Sequence, residues 1–456
     1  MLISFSVANF RSFGDEVTLN LVASNKLSDH SNHRVAIGDT GRFVLRTAVI
    51  YGANAAGKSN LVRAMQFAQR MIEEPRRRAL RVERFRLGEQ FAGHPSTFEF
   101  RFLLGERVFC YGFDLNGTRI EGEWLTVLKG DDDQVVYERD AQGTAQIGKA
   151  VRLFPQDKGL EELLKSLSAV TVREDQLFLT RISEVPEIAQ GPTLASVVKW
   201  LTQSLVVLPA DYRAPDLLER LQTDPAFMDF SATFLRQVGT GIDALEIEES
   251  EREAPTLSPG LDRIPRVFQR SDDTDIRLKP DDPSRMLVRQ LRARHDAAGE
   301  SYPLPFSQES DGTRQLLHLM PVLATPAGAT SVYVIDELDR SLHPLICQEF
   351  IRLFSETCPN ERRQLIVTTH DAHLLDQELL RRDEYWFVEK DAKHQSQLTS
   401  LADFSIRNDL QIQKGYLQGR FGAIPIIGSM EPLRRLLQCG TPQESADAPQ
   451  ETPARP

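Results

Sequence analysis

The sequence predicts an α/β fold built from both ends of the chain, with a β-meander lobe and an inserted, mainly helical region. Three observations predict it. An apolar run over 44–51 ends at Gly52 and is followed by Leu61, Ala64, Met65, Ala68 and Met71 at helical spacing, the pattern of a buried strand feeding a helix through a loop. Two more short apolar strands, 331–335 and 364–368, lie far along the chain. The stretch between is much longer than one crossover needs, so something is inserted.

Taken in order, residues 2–7 alternate like a strand, and 98–104, 108–115, 124–128 and 134–137 continue as strands of a meander. From about 155 the character changes. Residues 160–167, 194–205, 217–221 and 227–238 carry helical spacing, and 242–247 reads as a strand. The segment 250–283 is rich in Pro, Asp, Ser and Arg, as a loop or flexible excursion is. No heptad pattern persists, so no long coiled coil is expected. Helical spacing returns at Arg314 and again over 345–354. The last stretch, 441–456, has the composition of a disordered tail. The expected organisation is one half of the α/β core with its β lobe over 1–150, the mainly helical insertion over 151–300, the second half of the core over 301–440, and the tail over 441–456.

The net charge of −11 argues against a constitutive, nonspecific grip on nucleic acid. Cys110, Cys347, Cys358 and Cys439 form no CxxC pair, which fits a reducing compartment and excludes a cysteine zinc site. No apolar run approaches the roughly 20 residues that span a bilayer. The expectation is a cytoplasmic protein with no membrane partner.

The strongest motif is Gly52-Ala53-Asn54-Ala55-Ala56-Gly57-Lys58-Ser59, which fits G-x-x-x-x-G-K-[ST]. Its glycines let successive backbone N–H groups face one anion, and the following helix, from Lys58 through Asn60, adds its positive end. Lys58 is expected to reach the β- and γ-phosphates of ATP, and Ser59 to hold Mg²⁺.

Ser331-Val332-Tyr333-Val334-Ile335-Asp336-Glu337 is an apolar strand ending in two acids, a Walker B pattern. Asp336 is expected to serve Mg²⁺, and Glu337 to polarise the attacking water. The strand 364–368 runs on to His370, placed to sense a γ-phosphate. About 280 residues separate Lys58 from Asp336, so a core holding both must draw on both chain ends. Glu309-Ser310-Asp311-Gly312-Thr313 precedes the second half of the core. By itself Ser310 reads as a helix N-cap; in this position the segment has the form of an ABC signature, with Ser310 and Gly312 offering donors to an anion.

Together these residues resemble the SMC- and RecF-like branch of the ABC-type, AAA-family ATPases. The opening Val7-Ala8-Asn9-Phe10-Arg11-Ser12-Phe13 adds to the resemblance and brings Arg11 and Ser12 to the nucleotide. Closer still, the chain resembles the AbiL-type, or RloA-type, ATPases of bacterial antiphage and restriction-linked loci. That likeness rests on residues 19–23, His33, 309–313, 336–344 and 416–425. It implies a homodimer, or higher homo-oligomer, whose heads sandwich two ATP molecules. Ser310 and Gly312 of one head would contact the γ-phosphate held by the other, with His343 near the crossing loop. It also implies a separate effector, a nuclease or a toxin. The signature departs from the common pattern in carrying Glu309 where many relatives have leucine. Gln90, or the region 95–98, is the candidate for the Q-loop. A second reading is a DNA-binding repair ATPase, supported by Arg76, Arg77, Arg78, Arg81, Arg84 and Arg86; a third is an ATP-bound scaffold of slow turnover.

Overall fold

The computed structural model describes residues 1–438 except 39, 74–80, 130–131, 158, 187–191, 255–266, 271–272, 280, 283, 327, 358–361, 405–411 and 425–428. Arg76, Arg77, Arg78, Cys358, Pro425, Cys439 and the 441–456 tail therefore lie outside the described residues.

The core is a six-stranded sheet ordered Leu205–Leu208, Val332–Ile335, Gln364–Thr369, Thr47–Gly52, Tyr385–Lys390, Ser396–Ser400. The first five strands run parallel and the last is antiparallel. Both chain ends build it, as expected. Alternation along each strand sends residues to two separate cores. Ala48, Ile50, Val332, Val334, Ile366, Trp386 and Val388 face one. Val49, Tyr51, Tyr333, Ile335, Leu365, Val367, Tyr385 and Phe387 face the other. Coverage on both sides explains why these strands read as continuous apolar runs.

On the first side lies the helix Lys58–Glu73, which buries Leu61, Val62, Ala64, Met65, Ala68, Met71 and Ile72. Beyond it stands a seven-stranded antiparallel sheet made of Leu2–Ala8, Val17–Asn20 and the meander from Ser96–Leu104 to Ala145–Ile147. The buried Gln364 amide ties this sheet to the core: its Nε2 donates to the carbonyls of Leu2 (2.9 Å) and Leu45 (2.7 Å), and its Oε1 accepts from Leu2 N at 2.7 Å. Glu123 does the same for the helices that follow. It accepts from the Tyr137 hydroxyl and from the backbone N–H groups of Phe178 and Leu179 at the start of the helix Phe178–Ser183. On the other side pack the helices Asp311–Leu323 and Pro344–Glu356.

The expectation of a mainly helical insertion over 151–300 is corrected at two places. Helical spacing over 194–205 gives way at Ser204, and Leu205–Leu208 becomes the edge strand of the core sheet, parallel to Val332–Ile335. A short β-branched run that looks like the end of a helix is a strand once a parallel partner is present. The second correction concerns the part read as loop. Ala244–Glu253, Val267–Arg270, Thr274–Leu278, Arg285–Ala297 and Glu300–Pro305 form a five-stranded antiparallel sheet. Its charged residues hid it, because they pair across the strands instead of alternating with apolar ones: Arg294 with Glu246, Arg292 with Glu248, Arg289 with Glu249. The helices Leu160–Ser168, Leu217–Thr223 and Pro225–Gln237 stand where helical spacing put them. No described helix is long and apolar enough to cross a membrane.

Candidate functional site

The strand Thr47–Gly52 ends in the centre of the core sheet, and the loop 53–57 carries the chain into the helix at Lys58. Two glycines are sterically required here. A Cβ on Gly52 would stand 2.6 Å from the Val388 carbonyl, and one on Gly57 would stand 2.2 Å from Ser396 Oγ. Gly57 also has φ +123, and Ala55 at the loop crest has φ +62, a backbone suited to turning N–H groups toward one point. Asn54 and Ala55 are exposed while Ala56, Gly57 and Lys58 are buried. The Lys58 ammonium folds back on the loop and donates to the Gly52 carbonyl at 2.6 Å. Burial pulls its pKa down, and the nearby charges of Asp339, Asp336 and Glu337 oppose that shift.

The two acids come from the end of Val332–Ile335, two strands away. Ser59 Oγ donates to Asp336 Oδ1 at 3.1 Å, closing a contact across most of the chain. Thr368, fully buried on the strand between, donates to the same oxygen at 2.6 Å and accepts from Glu337 N at 2.8 Å. One hydroxyl thus sets both acids. Ser59 Oγ and Asp336 Oδ1 are the hard oxygen donors that Mg²⁺ takes, one or two from protein with the rest from phosphate and water.

His370 follows the strand Gln364–Thr369 and is exposed, with its Nδ1 2.9 Å from Asp339 Oδ2. The same carboxylate oxygen accepts from His370 N at 3.2 Å. A carboxylate on Nδ1 fixes the ring and leaves Nε2 free to turn outward. Backbone strain gathers in these loops: Asn9, Arg11, Ala55, Glu337 and Ser341 all have positive φ, and such conformations cluster where geometry is held for function.

The N-terminal turn roofs the loop. Ser12 Oγ accepts from Asn60 Nδ2 (2.9 Å) and from Ser396 Oγ (2.8 Å), and Ser396 Oγ also lies 2.5 Å from the Ala56 carbonyl. Arg11 stands further out, paired with Glu83 at 2.9 Å and stacked beside Phe10. Asn9 clasps the carbonyls of Phe91 and His94, which holds the turn carrying Gln90; Gln90 itself is exposed.

The structure therefore brings together Gly52, Asn54, Ala55, Ala56, Gly57, Lys58, Ser59, Asn60, Ser12, Asp336, Glu337 and His370, with Arg11 at the rim. Ser310 and Gly312 stand apart. Ser310 caps the helix Asp311–Leu323, accepting from Thr313 N at 3.1 Å. A Cβ on Gly312 would stand 2.3 Å from the Ser341 carbonyl, so only glycine admits that loop. Among the described residues, no hydrogen bond joins this turn to the phosphate loop. Sequence reasoning missed Thr368, Asp339 and Ser396. A hydroxyl in an apolar strand was a usable signal for Thr368, and Asp339 sits inside the acidic motif. Ser396 offered none, being on a hairpin remote from the loop it covers.

Comparison with known proteins agrees with this arrangement. Among solved structures, the SMC head bound to the C-terminal winged-helix domain of ScpA is similar, at 14% identity and TM-score 0.40, covering 88% of this chain and 97% of that one. The SMC head domain from Thermotoga maritima is similar at 15% identity and TM-score 0.36, covering 88% and 98%. No curated protein matches significantly. The family described as "AAA domain, putative AbiEii toxin, Type IV TA system" matches residues 48–144 and 210–376. Those two blocks hold the phosphate loop, both acids, the Ser310 turn and His370, and span more than half of the chain; the chain belongs to this AAA family.

Proposed function

We propose that this chain is an ATP-hydrolysing switch that works as a pair of heads closed around two ATP molecules. The observation that carries the reading is the Ser59–Asp336–Thr368–Glu337 chain of hydrogen bonds, which puts a Mg²⁺ site beside a carboxylate at the mouth of the phosphate loop. The loop N–H groups and Lys58 bind and orient the phosphates. Bound Mg²⁺ supplies charge neutralisation at the β- and γ-oxygens. Glu337 orients water against the γ-phosphate, and His370, braced by Asp339, reads that phosphate. The exposed Ser310 turn is the natural lid for nucleotide held by a second copy, since it has donors free of its own head's loop.

Lys58→Ala tests the first half: ATP binding by calorimetry should be lost. Glu337→Gln should keep binding and slow turnover about 10²-fold or more. Ser310→Arg should bind ATP but not turn it over. Mixed with Lys58→Ala it should recover activity, because each mutant spoils a different half of a composite site. No recovery at any mixing ratio overturns the two-headed reading.

The family description points to a toxin–antitoxin or abortive-infection setting, and we read the switch as controlling a separate effector, a nuclease or toxin, in bacterial antiphage defence. A phage challenge with the gene alone, with its neighbour, and with Glu337→Gln in each setting tests this. Full protection by the gene alone, with no co-purifying protein, overturns the effector model and favours direct action on DNA.

A further inference from the structure

The turn that presents Ser310 is gripped from outside the ATP site. Glu309, just before the cap, points its carboxylate at the strand Arg285–Ala297, where Oε1 stands 2.9 Å from His295 Nε2. The other ring nitrogen, Nδ1, stands 2.8 Å from the Gly241 carbonyl, in the loop after the helix Pro225–Gln237. Both nitrogens thus face acceptors. A neutral imidazole has only one N–H, so this geometry selects the imidazolium. The Glu309 side chain is 11% exposed and that of His295 27%, which shields the pair from much of the screening of a surface contact.

A second contact grips the same turn. Asp273, buried in the antiparallel sheet, accepts from Ser307 N through Oδ2 at 3.0 Å, while its backbone carbonyl accepts from Leu291 N at 2.7 Å. The sheet therefore holds the turn at Ser307 and at Glu309, two residues on either side of Gln308.

We propose that His295 and Glu309 form a strut through which the antiparallel sheet sets the position of the Ser310 turn, making that sheet the lever that opens or closes the second half of the ATP sandwich. This rests on the two-headed reading above. Both are positioning residues. The departure of Glu309 from leucine then has a cause: the position is used for a charged link to the inserted sheet.

The strut is sensitive to pH. Burial pulls the His295 pKa down, but the hydrogen bonds of Glu309 and the Gly241 carbonyl and the charges of Glu309 and Asp243 outweigh it, and the net shift is upward. Glu309 faces the ring from the turn, Asp243 from the 241 loop, and Tyr302 is the cross-strand neighbour; Arg294 and Asp296 flank it on its own strand. A raised pKa means the link is intact at low pH and is lost as pH rises through the folded-state value.

The test uses the full chain, with kcat at saturating ATP from about pH 6 to about pH 9 and hydrogen exchange at the Thr313 amide, which bonds Ser310 Oγ. His295→Gln should lower kcat about tenfold, the scale of losing one charged hydrogen bond, leave ATP binding unchanged and speed Thr313 exchange. His295→Lys should rescue kcat, since an ammonium offers charge and three donors to the same two acceptors, and should flatten the profile. Glu309→Gln should move the fall in kcat to lower pH, which keeps the proposal testable if His295→Gln does not fold. Unchanged Thr313 exchange in His295→Gln, or failure of lysine to rescue, overturns the strut. Faster exchange with unchanged kcat overturns the coupling. If Ser310→Arg turns over ATP normally, the two-headed reading fails, and Thr313 exchange still decides the strut.

Discussion

The two sheets that flank the Ser310 turn are built on opposite principles. In the core sheet, Thr47–Gly52 and Gln364–Thr369 are buried at every residue, and their stability comes from apolar area removed from water on both faces. In the antiparallel sheet, Ala244–Glu253 is largely exposed. Leu245, Val288, Leu291 and Ala293 are its buried apolar side chains, and a ladder of Glu–Arg pairs runs across it. Exposed pairs of this kind contribute little each. They set which strand pairs with which, because like charges face each other if the register slips. The phosphate loop and both acids sit on the rigid sheet; the lever sits on the softer one. A catalytic constellation needs a fixed frame, whereas a coupling element needs a body that can shift or loosen at low cost.

The comparison can be broken at its strong end. Ile366→Ala, in the centre of the core sheet, should cost about 2–5 kcal/mol by chemical denaturation. A loss below 1 kcal/mol would mean that the sheet is not the packed frame described here. Thr368→Val comes next, because it leaves the Glu337 N–H without its partner and deprives Asp336 Oδ1 of a donor. The expected cost is about 1–3 kcal/mol, together with weaker Mg²⁺-dependent nucleotide binding; unchanged metal dependence would remove Thr368 from the site. Leu291→Ala should cost less than Ile366→Ala and should release the amides of Arg285–Ala297 to hydrogen exchange before those of Gln364–Thr369. Simultaneous release would make the two sheets one cooperative unit. The smallest effect belongs to the ladder: Arg289→Ala should cost under about 1 kcal/mol, and less again at high salt. A larger, salt-independent loss would show that the pairs do more than set register.

Some of the site was legible because its chemistry is local. Gly52 to Asn60 form one unbroken strand–loop–helix unit, and the residues that admit a phosphate there are neighbours in the chain. Asp336, Glu337 and His370 were found because an apolar strand ending in such groups is unusual at each place separately. Thr368 and Asp339 were in view but had no role, since what they do depends on which strand lies beside which.

The sequence by itself determined the apolar strands of the core, the loop that binds phosphate, the helix cap at Ser310 and the assembly of the core from both chain ends. These follow from periodicity, glycine steric freedom and short-range hydrogen bonding, all of which act within about a dozen residues. Only the tertiary structure decided that Leu205–Leu208 joins the core sheet, that 244–305 folds as strands, that Ser396 roofs the phosphate loop, and that Glu309 reaches His295. Each depends on a partner brought from far along the chain: a parallel neighbour for a short β-branched run, an opposite charge across a ladder, a hydroxyl in the space a glycine leaves. Pairings of that kind are set by packing, and no local pattern records them.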